Sequence, residues 1–406
     1  MQRNPYLTDA HEAHREEVAS FTREFIVPVA GELDRTQAYP WENVKRMAER
    51  GWLGIMWPRE AGGGGLDEMH YYVTLHEVAK ACAGHAVIIS VQTNLGTTSL
   101  HHFGTDWQKE TWFAKLASGR ILAAFGLTEE EAGSDAGGTQ TTAVDRGDHY
   151  VLNGRKIFIT HGGVAEFVIA TARTEAGPRG QGITSFILAK DTIDPDACRR
   201  VGIGHDPSIP RTKGFRVGRT WEKMGWRAVN WGELLFEDAI VPKEQVLGEP
   251  GRGYANFLRL LDGGRIGIAA VSLGIAEGAY EAARQRAKDR RQFGRPIGSY
   301  QGVSFKLADL AMEIQAGQHL LYHAAWLKAN GHPYKLEASM AKLFCSELAM
   351  RATTQAVQVF GGLGYTREAP VEKMMRDAKV CEIGEGTSEI QRMLIARQIL
   401  GGLASD

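Results

Sequence analysis

Cysteine is scarce in this chain: Cys82, Cys198, Cys345 and Cys381 are the four among 406 residues, far apart, with no CxxC pair and no zinc-ligand spacing. At that density a disulfide framework is not expected, and a reducing, cytoplasmic setting fits better. Each thiol reads as a small buried hydrophobe before it reads as a nucleophile. Long apolar runs are missing as well. No stretch approaches the ~18 apolar residues of a membrane span. Residues 1–17 are too polar and charged for a signal-peptide core. Nor does one sign of charge prevail: 47 Lys+Arg stand against 48 Asp+Glu, a formal net charge of −1. A nucleic-acid binder would carry a basic surplus or stripe. No nucleic-acid partner and no membrane insertion are therefore expected.

Signatures of the commonest reactions are absent too. No G-x-G-x-x-G joins a strand to a helix, and no G-x-x-x-x-G-K-[ST] loop, H-E-x-x-H helix or G-x-S-x-G elbow occurs. His101-His102 is an adjacent pair that cannot share one helical face, so it reads as surface or core histidine. No metal is expected. Hydrolase, kinase and pyridine-nucleotide readings lose their usual anchors.

What the chain does have is glycine, 48 of 406 residues, well above the ~7% norm and without a collagen-like period. Such glycines mark turns and points where backbone approaches a ligand. With 43% hydrophobic and 23% charged residues, the rest is ordinary for a globular chain with a large core. A length of 406 residues predicts two or three domains.

Three textures follow one another. Residues 1–122 read helical: Val18, Phe21, Phe25 and Val29 recur at helical spacing, with Thr8 placed as N-cap and Pro28 as a kink. Further apolar helical windows fall at 44–57 and 71–83, separated by a glycine run at 61–65 read as a solvated loop. Residues 123–245 switch to strands. Segments 149–152 and 156–160 flank Asn153-Gly154, the strongest short hairpin signal. Segments 167–172, 183–189 and 233–236 add β-branched and aromatic runs. The stretch 194–214, rich in Pro, Gly and basic residues, predicts a long excursion from the sheet. Residues 246–406 return to helices over 255–289, 301–330 and 334–360, with shorter ones near 371–378 and 387–400. Three long helices with short connections imply an antiparallel bundle. The expected fold class is α+β: an all-α N-terminal domain, a β-sheet or barrel middle domain and a C-terminal four-helix bundle, not alternating βαβ units.

Polar, glycine-containing segments sit at the junctions. Residues 126–135 offer hydroxyls and backbone N–H groups suited to a phosphate or a heteroaromatic edge; an acidic capping turn accounts for them equally well. Residues 156–162 form an apolar strand ending in threonine and glycine. In 289–296, Arg290, Arg291, Gln292 and Phe293 close a long helix, where cations suit the dipole. Two arginines beside a ring would also bind a pyrophosphate. Residues 358–365 read as a glycine C-cap. In 383–389, Glu385 lies between two glycines, and Thr387 is placed to cap the next helix.

In order and spacing these segments resemble the acyl-CoA dehydrogenase family of flavoproteins over nearly the whole chain, including the α–β–α layout. Leu127-Thr128-Glu129, Gly133-Ser134-Asp135 and the run from Glu385 to Arg392 carry the resemblance, with 234–253 and 261–265 adding to it. The resemblance implies FAD as cofactor, an acyl-CoA substrate oxidised to a trans-2-enoyl-CoA, electron-transferring flavoprotein as acceptor, and a homotetramer. Phe125, Leu127 and Thr128 would lie along the flavin, Gly133 and Ser134 where cofactor meets substrate, and Phe158 and Thr160 beside the ring. Arg290, Gln292, Phe293 and Gln301, with Gln358, Gly361 and Gly362, would hold the pyrophosphate and adenosine end, some of them across a subunit boundary. Thr387 and Glu389 match further cofactor positions. Asp262 and Arg265 match the helix facing the acyl-CoA, and Gly384 and Gly386 would let backbone pass close to the thioester. Glu385 corresponds to the catalytic base. Oxidising a Cα–Cβ bond beside a thioester requires loss of an α-proton, which suits a carboxylate of raised pKa in a dry pocket.

Departures from the family pattern bear on the substrate. Gly384 stands where straight-chain members commonly carry tyrosine, so a branched, aromatic or otherwise bulky acyl group, or one with a second carboxylate, is expected. Gly264 stands where some branched-chain members place their base, which leaves Glu385. Val229 and Trp231 replace a usual serine and threonine, and Trp221, Trp226 and Trp231 read mostly as packing. Arg199, Arg200, His205, Arg211 and Lys213 make 194–214 a solvated basic loop or a contact to CoA phosphates. Ala86 falls near an arginine position of glutaryl-CoA dehydrogenases, which weakens that substrate. Two other classes stand beside this reading. A flavin monooxygenase of the same fold acting on an aromatic substrate would generally lack the base, and a non-catalytic acyl-CoA-binding protein would not be bleached by substrate.

Overall fold

Thr8 begins the first helix as its spacing predicts: its hydroxyl accepts the His11 N–H, and the His11 ring closes a capping box. The computed structural model describes residues 4–401; the ends of the first and third expected segments, 1–3 and 402–406, lie outside the described residues. The helical layer comprises α1 (Asp9–Phe21), α2 (Val27–Thr36), α3 (Trp41–Glu49), α4 (Glu68–Ala79), α5 (Ala83–Ser90), α6 (Thr98–Phe103) and α7 (Asp106–Ala117). His11 and His70 both donate to the Asp67 carboxylate, at 3.0 and 2.7 Å, and tie α1 to the start of α4. Pro28 lies in the first turn of α2, where its missing N–H costs nothing. The kink expected there is a π-helical turn, Thr22–Ile26. That turn rotates the apolar stripe, so Ile26 and Ala30 are buried while Val29, expected inside, is 38% exposed.

The glycine run at 61–65 is not the solvated loop the sequence suggests. A Cβ on Gly63 would lie 2.4 Å from the Trp57 carbonyl oxygen and 2.5 Å from that of Gly54. One on Gly64 would lie 2.8 Å from the Ile55 carbonyl oxygen. Backbone packs on backbone here, which only glycine permits.

The middle layer contains β1 (Ala123–Gly126), β2 (Thr142–Asp145), β3 (His149–Thr160), β4 (Phe167–Arg173), β5 (Ile183–Ala189), then α8 (Pro195–Val201), β6 (Phe215–Thr220), β7 (Trp231–Pro242) and β8 (Val246–Leu247). They make one eight-stranded sheet in the order β6-β7-β3-β2-β4-β5-β8, with β1 parallel to β4. Asn153-Gly154 is not a hairpin turn but an irregularity inside the single strand β3. Asn153 exchanges hydrogen bonds with Asp238 of β7, at 3.0 and 2.9 Å, which fixes the bulge. The turn joining β2 to β3 is 146–148, where Gly147 takes φ 98°. Part of the 194–214 excursion is tied down rather than solvated, though Arg199, Arg200 and Lys213 stay exposed. Buried Glu166 takes the Arg211 guanidinium at 2.7 Å, the Asp206 N–H at 2.7 Å and the His205 ring.

The third layer holds α9 (Gly253–Asp289), a hairpin of β9 (Arg291–Gln292) and β10 (Arg295–Pro296), then α10 (Gln301–Ala329), α11 (Lys335–Phe360), α12 (Pro370–Lys379) and α13 (Ser388–Ile399). Helix α9 is long and apolar enough to cross a membrane, contrary to the sequence expectation, yet 89% of its most apolar window is buried. It packs against α4, α5, α10 and α11 and is the axis of the core. All four cysteines are buried and unpaired.

Two alanine substitutions test the glycine argument. Gly63→Ala forces a carbonyl clash and is expected to destabilise by at least about 2 kcal/mol. A Cβ at Gly31, inside α2, meets nothing within 4 Å, so Gly31→Ala should be neutral or stabilise by about 0.5–1 kcal/mol. Thermal unfolding midpoints of the two variants read the contrast.

Candidate active site

Where α9 passes under α4 and α5 it carries Gly263, Gly264 and Gly267, and the missing side chains let other groups reach its axis. A Cβ on Gly267 would meet Leu75, Ser90 and the Tyr71 hydroxyl at 3.5–3.6 Å. A Cβ on Gly264 would lie 2.1 Å from Oε2 of Glu385 and 3.0 Å from Nδ2 of Asn94. Gly264 is thus glycine because the Glu385 carboxylate occupies the space its side chain would need. The sequence names Gly264 and Glu385 as alternative positions for one base; the fold brings them to one point.

Glu385 sits in the loop between a 3₁₀ turn (Val380–Glu382) and α13. It adopts φ 52°, a left-handed conformation costing a non-glycine residue about 1–2 kcal/mol. Its surroundings impose that shape. Gln391 on α13 donates to the Glu385 and Gly386 carbonyls at 3.3 and 3.0 Å, and buried Lys342 on α11 donates to the Gly386 carbonyl at 2.7 Å. Gly386 takes φ 92°, and a Cβ there would strike Gln391 at 2.7 Å. Thr387 caps α13 by accepting the Ile390 N–H at 3.3 Å, and Glu389 lies exposed in its first turn. A Cβ on Gly384 would meet only the Val380 carbonyl, at an ordinary 3.5 Å.

Oε2 of Glu385 is shielded from solvent and has no hydrogen-bond partner among the described residues. Burial pushes the carboxyl up to about 7, while nearby Lys342 and Arg265 hold the rise back. Burial in turn lowers Lys342 to about 8. Arg265 is not offered to solvent: it is buried and donates to Asp262 at 2.5 Å. The arrangement is a carboxylate able to take a proton near neutral pH in a site closed below by Tyr71, Tyr72, Leu75 and Ser90.

A second group gathers on the sheet. Phe158 turns outward at a register shift between β3 and β7, with φ 59° and 43% of its surface exposed. The Trp221 and Trp231 rings lie 4.6 and 6.0 Å from it, and both indole N–H groups are buried without a partner among the described residues. Leu127, Thr128 and Thr160 are half-buried nearby in sequence and strand, whereas Gly133 and Ser134 are exposed. Phe125 lies in the core against Phe257, ring centroids 4.9 Å apart. Beneath, buried Lys156 holds Glu129 at 2.5 Å and the Leu127 carbonyl at 3.1 Å, while the Thr128 carbonyl accepts the Ile157 N–H at 2.9 Å. The three rings are tilted, by 55° and 48° to Phe158, and Arg219 covers the Trp221 ring at 3.3 Å, so what suits a planar, hydrogen-bonding flavin here is the exposed Phe158 ring with the hydroxyls of Thr128 and Thr160.

The third predicted group is placed elsewhere, at the end of the helical bundle. Arg290 and the β9–β10 hairpin project outward, with Phe293 94% exposed at the tip and φ 47°. Gln301 opens α10, and Gln358, Gly361 and Gly362 end α11; all four are exposed. Arg286 lies 5.6 Å over the Phe360 ring and brings both segments to one end. Sequence reasoning missed Lys342, and it named the segments holding Gln391, Lys156 and Glu129 without giving those side chains a role. Their only signal is a charged or amide residue at a core-facing position of a helix or strand. A cleft of about 740 Å³ between α1, α2, α4, α9 and α12 contains none of the predicted site residues.

Comparison with known proteins identifies the family to which this fold belongs. Residues 8–120, 124–239 and 251–400 match the N-terminal, middle and C-terminal domain models of acyl-CoA dehydrogenase. The chain belongs to the acyl-CoA dehydrogenase family, and it is an FAD-dependent oxidoreductase. It is 44% identical over 393 residues to a short-chain specific acyl-CoA dehydrogenase of Clostridium acetobutylicum, covering 97% of this chain and 98% of that one. The structure of butyryl-CoA dehydrogenase from Megasphaera elsdenii superposes with a TM-score of 0.90 at 40% identity, covering 98% and 100% of the two chains. A chain from a structure described as the electron transferring flavoprotein of Acidaminococcus fermentans gives a TM-score of 0.90 at 42% identity, with coverages of 98% and 100%.

The expectation of a branched, aromatic or dicarboxylic acyl group is not supported by these relatives, which are named for short chains. The inference from Gly384 considered one wall only. Tyr71 and Tyr72, both buried on α4, lie against the glycine face of α9 and supply bulk there.

Because the Glu385 carboxyl titrates higher folded than unfolded, its ionisation opposes folding as pH rises from its ordinary value of 4.5 through about 7. Glu385→Gln should therefore raise the unfolding temperature at pH 8, by an amount equivalent to about 1–3 kcal/mol. That gain should shrink to nothing near pH 4.5. Thermal melts of both holoproteins across this range check it.

Proposed function

We propose that this enzyme removes the α-proton of a short-chain acyl-CoA with Glu385, forming a trans-2-enoyl-CoA. The observation that carries the reading is the shielded, unpartnered Oε2 of Glu385 at the glycine face of α9. A thioester α-C–H is weakly acidic, so the base must be ionised at working pH yet basic enough to accept a proton. A carboxyl near 7 meets both conditions. FAD, when bound, accepts the β-hydrogen as a hydride. Arg265 and Lys342 keep positive charge near the carboxylate without pairing with it, because Asp262 and the Gly386 carbonyl engage them. The close packing of Tyr71, Tyr72 and Leu75 under the site supports a short acyl chain. Aromatic-monooxygenase and scaffold readings leave the buried carboxylate without a role.

Leu127, Thr128, Gly133, Ser134, Phe158 and Thr160, with Phe125 behind them, are proposed to hold the flavin ring, and Thr387 and Glu389 to border it. The exposure of Phe293, Gln358, Gly361 and Gly362 supports a site completed across a subunit boundary, in which Arg290, Gln292, Gln301 and these residues bind the far end of the FAD in a homotetramer. Segments 1–122, 123–245 and 246–406 then act as three domains around one site. Electron-transferring flavoprotein is the proposed acceptor, and the four free, buried cysteines suit a cytoplasmic setting.

Glu385→Gln should keep its yellow FAD and bind acyl-CoA, yet lose about 10²–10⁴ in the rate of anaerobic flavin reduction by butyryl-CoA. Near-normal reduction would sink the assignment. In an acyl-CoA panel, four-carbon straight chains should bleach the flavin faster than branched, aryl or dicarboxylic ones. A preference for the bulky members would overturn the short-chain reading and restore the argument from Gly384.

A further inference from the structure

We infer that Asn94 is a positioning residue for the reaction: its carboxamide N–H is shielded beside Oε2 of Glu385, bonded to no described residue in this conformation, and is the donor that orients the base. The inference rests on Glu385 being the base. Asn94 lies in a π-helical turn, Val91–Thr97, that follows α5 and packs on α9. Such turns break the regular helix and often redirect a side chain at a functional site. The other polar groups of this turn are committed to backbone. Gln92 donates to the Leu116 and Ile121 carbonyls at 2.8 and 3.1 Å and accepts the Ala123 N–H at 2.8 Å. Thr93 donates to the Leu53 carbonyl at 3.0 Å, and Thr97 to that of Gln92 at 3.0 Å.

Asn94 differs. Its Nδ2 is shielded from solvent with no partner among the described residues, in a residue 8% exposed. A buried donor left unpaired costs about 1–3 kcal/mol, so packing alone does not favour an amide here. The orphaned acceptor on the other side of Gly264 is Oε2 of Glu385, and the two atoms lie 3.0 and 2.1 Å from the point a Gly264 Cβ would occupy. A carboxylate only accepts, so the amide orientation that presents its N–H is the favourable one.

Most other polar groups around the carboxylate are engaged, although Nε of Arg265 is also shielded without a partner among the described residues. On α4, the Tyr71 hydroxyl donates to Ser90 at 3.4 Å and that of Tyr72 to the Gly263 carbonyl at 3.4 Å. On α9, Arg265 serves Asp262, and on α11 Lys342 serves the Gly386 carbonyl. Asn94 is a neutral side-chain donor beside the carboxylate with nothing else to bond. A neutral donor orients and stabilises the ionised form without the permanent ion pair that would strip the base of its proton affinity.

The test measures anaerobic flavin reduction by butyryl-CoA from pH 5.5 to 9 in wild type, Glu385→Gln, Asn94→Ala and Asn94→Asp holoenzymes. Near-normal reduction by Glu385→Gln refutes the base reading itself, whatever Asn94 does. With the base in place, Asn94→Ala should move the apparent pKa of the rate profile upward by about one unit, roughly tenfold in rate below the midpoint. At pH 9 the rate should change less than about threefold, since the base is then ionised in both. Asn94→Asp is isosteric and sets an acceptor against the carboxylate, so its midpoint should move further in the same direction. It decides the matter if the alanine variant does not load FAD. A profile superimposable on wild type, a downward shift, or a uniform loss at every pH in either variant would overturn the positioning role.

Discussion

A carboxyl group withdrawn from water must either ionise against the low polarity around it or keep its proton, and the rest of this molecule is arranged around one such group. The Glu385 oxygen that lies against α9 has no partner, and a glycine on that helix leaves room for it. From this contact the other features follow. Helix α9 needs small residues at 263, 264 and 267, so it can be crowded by α4 and α5. The loop that carries Glu385 must bend through a left-handed residue, so Lys342 and Gln391 reach in to hold its carbonyls. Stability is given up locally and recovered in the long apolar core of α9, α10 and α11.

The protomer presents its chemistry in three places: a carboxylate at the helical core, an aromatic cluster on the sheet, and an exposed hairpin with the end of α11. The first two belong to regions joined through α9, whose start packs beside β5 and whose middle faces Glu385. The third projects away with an aromatic tip almost wholly exposed. An exposed phenylalanine held at positive φ is costly for an isolated chain, which is the observation behind the proposed subunit boundary.

Much of the fold was legible because long helices announce themselves by period and strands by β-branched runs. Helices α9, α10 and α11 begin and end within a few residues of their patterns. What failed was short-range inference at places where tertiary contacts override local preference. Asn153-Gly154 carries the sequence of a turn, but Asp238 on the neighbouring strand takes up the asparagine and makes a bulge. The glycine run at 61–65 has a loop's composition, yet Gly63 and Gly64 are pressed against carbonyls far closer than a side chain allows. At the site, motif resemblance pointed to Glu385 and to the run that contains Gln391, but Lys342 and Asn94 carry no motif. They become visible only when helices distant in sequence are packed together. The relatives do not support the substrate expectation, which rested on a single glycine, while the proposed short-chain reading takes in the tyrosines of α4 as well.

The central claim is that shielding of one Glu385 carboxyl oxygen raises the affinity of that group for a proton, and direct titration of that group tests it. Infrared difference spectra of wild-type minus Glu385→Gln holoenzyme, recorded across pH, isolate the protonated carboxyl stretch of this one residue. The account predicts a band that persists to neutral pH and disappears with a midpoint of about 7. Loss of the band near 4.5, the ordinary value for a solvated glutamate, would contradict it.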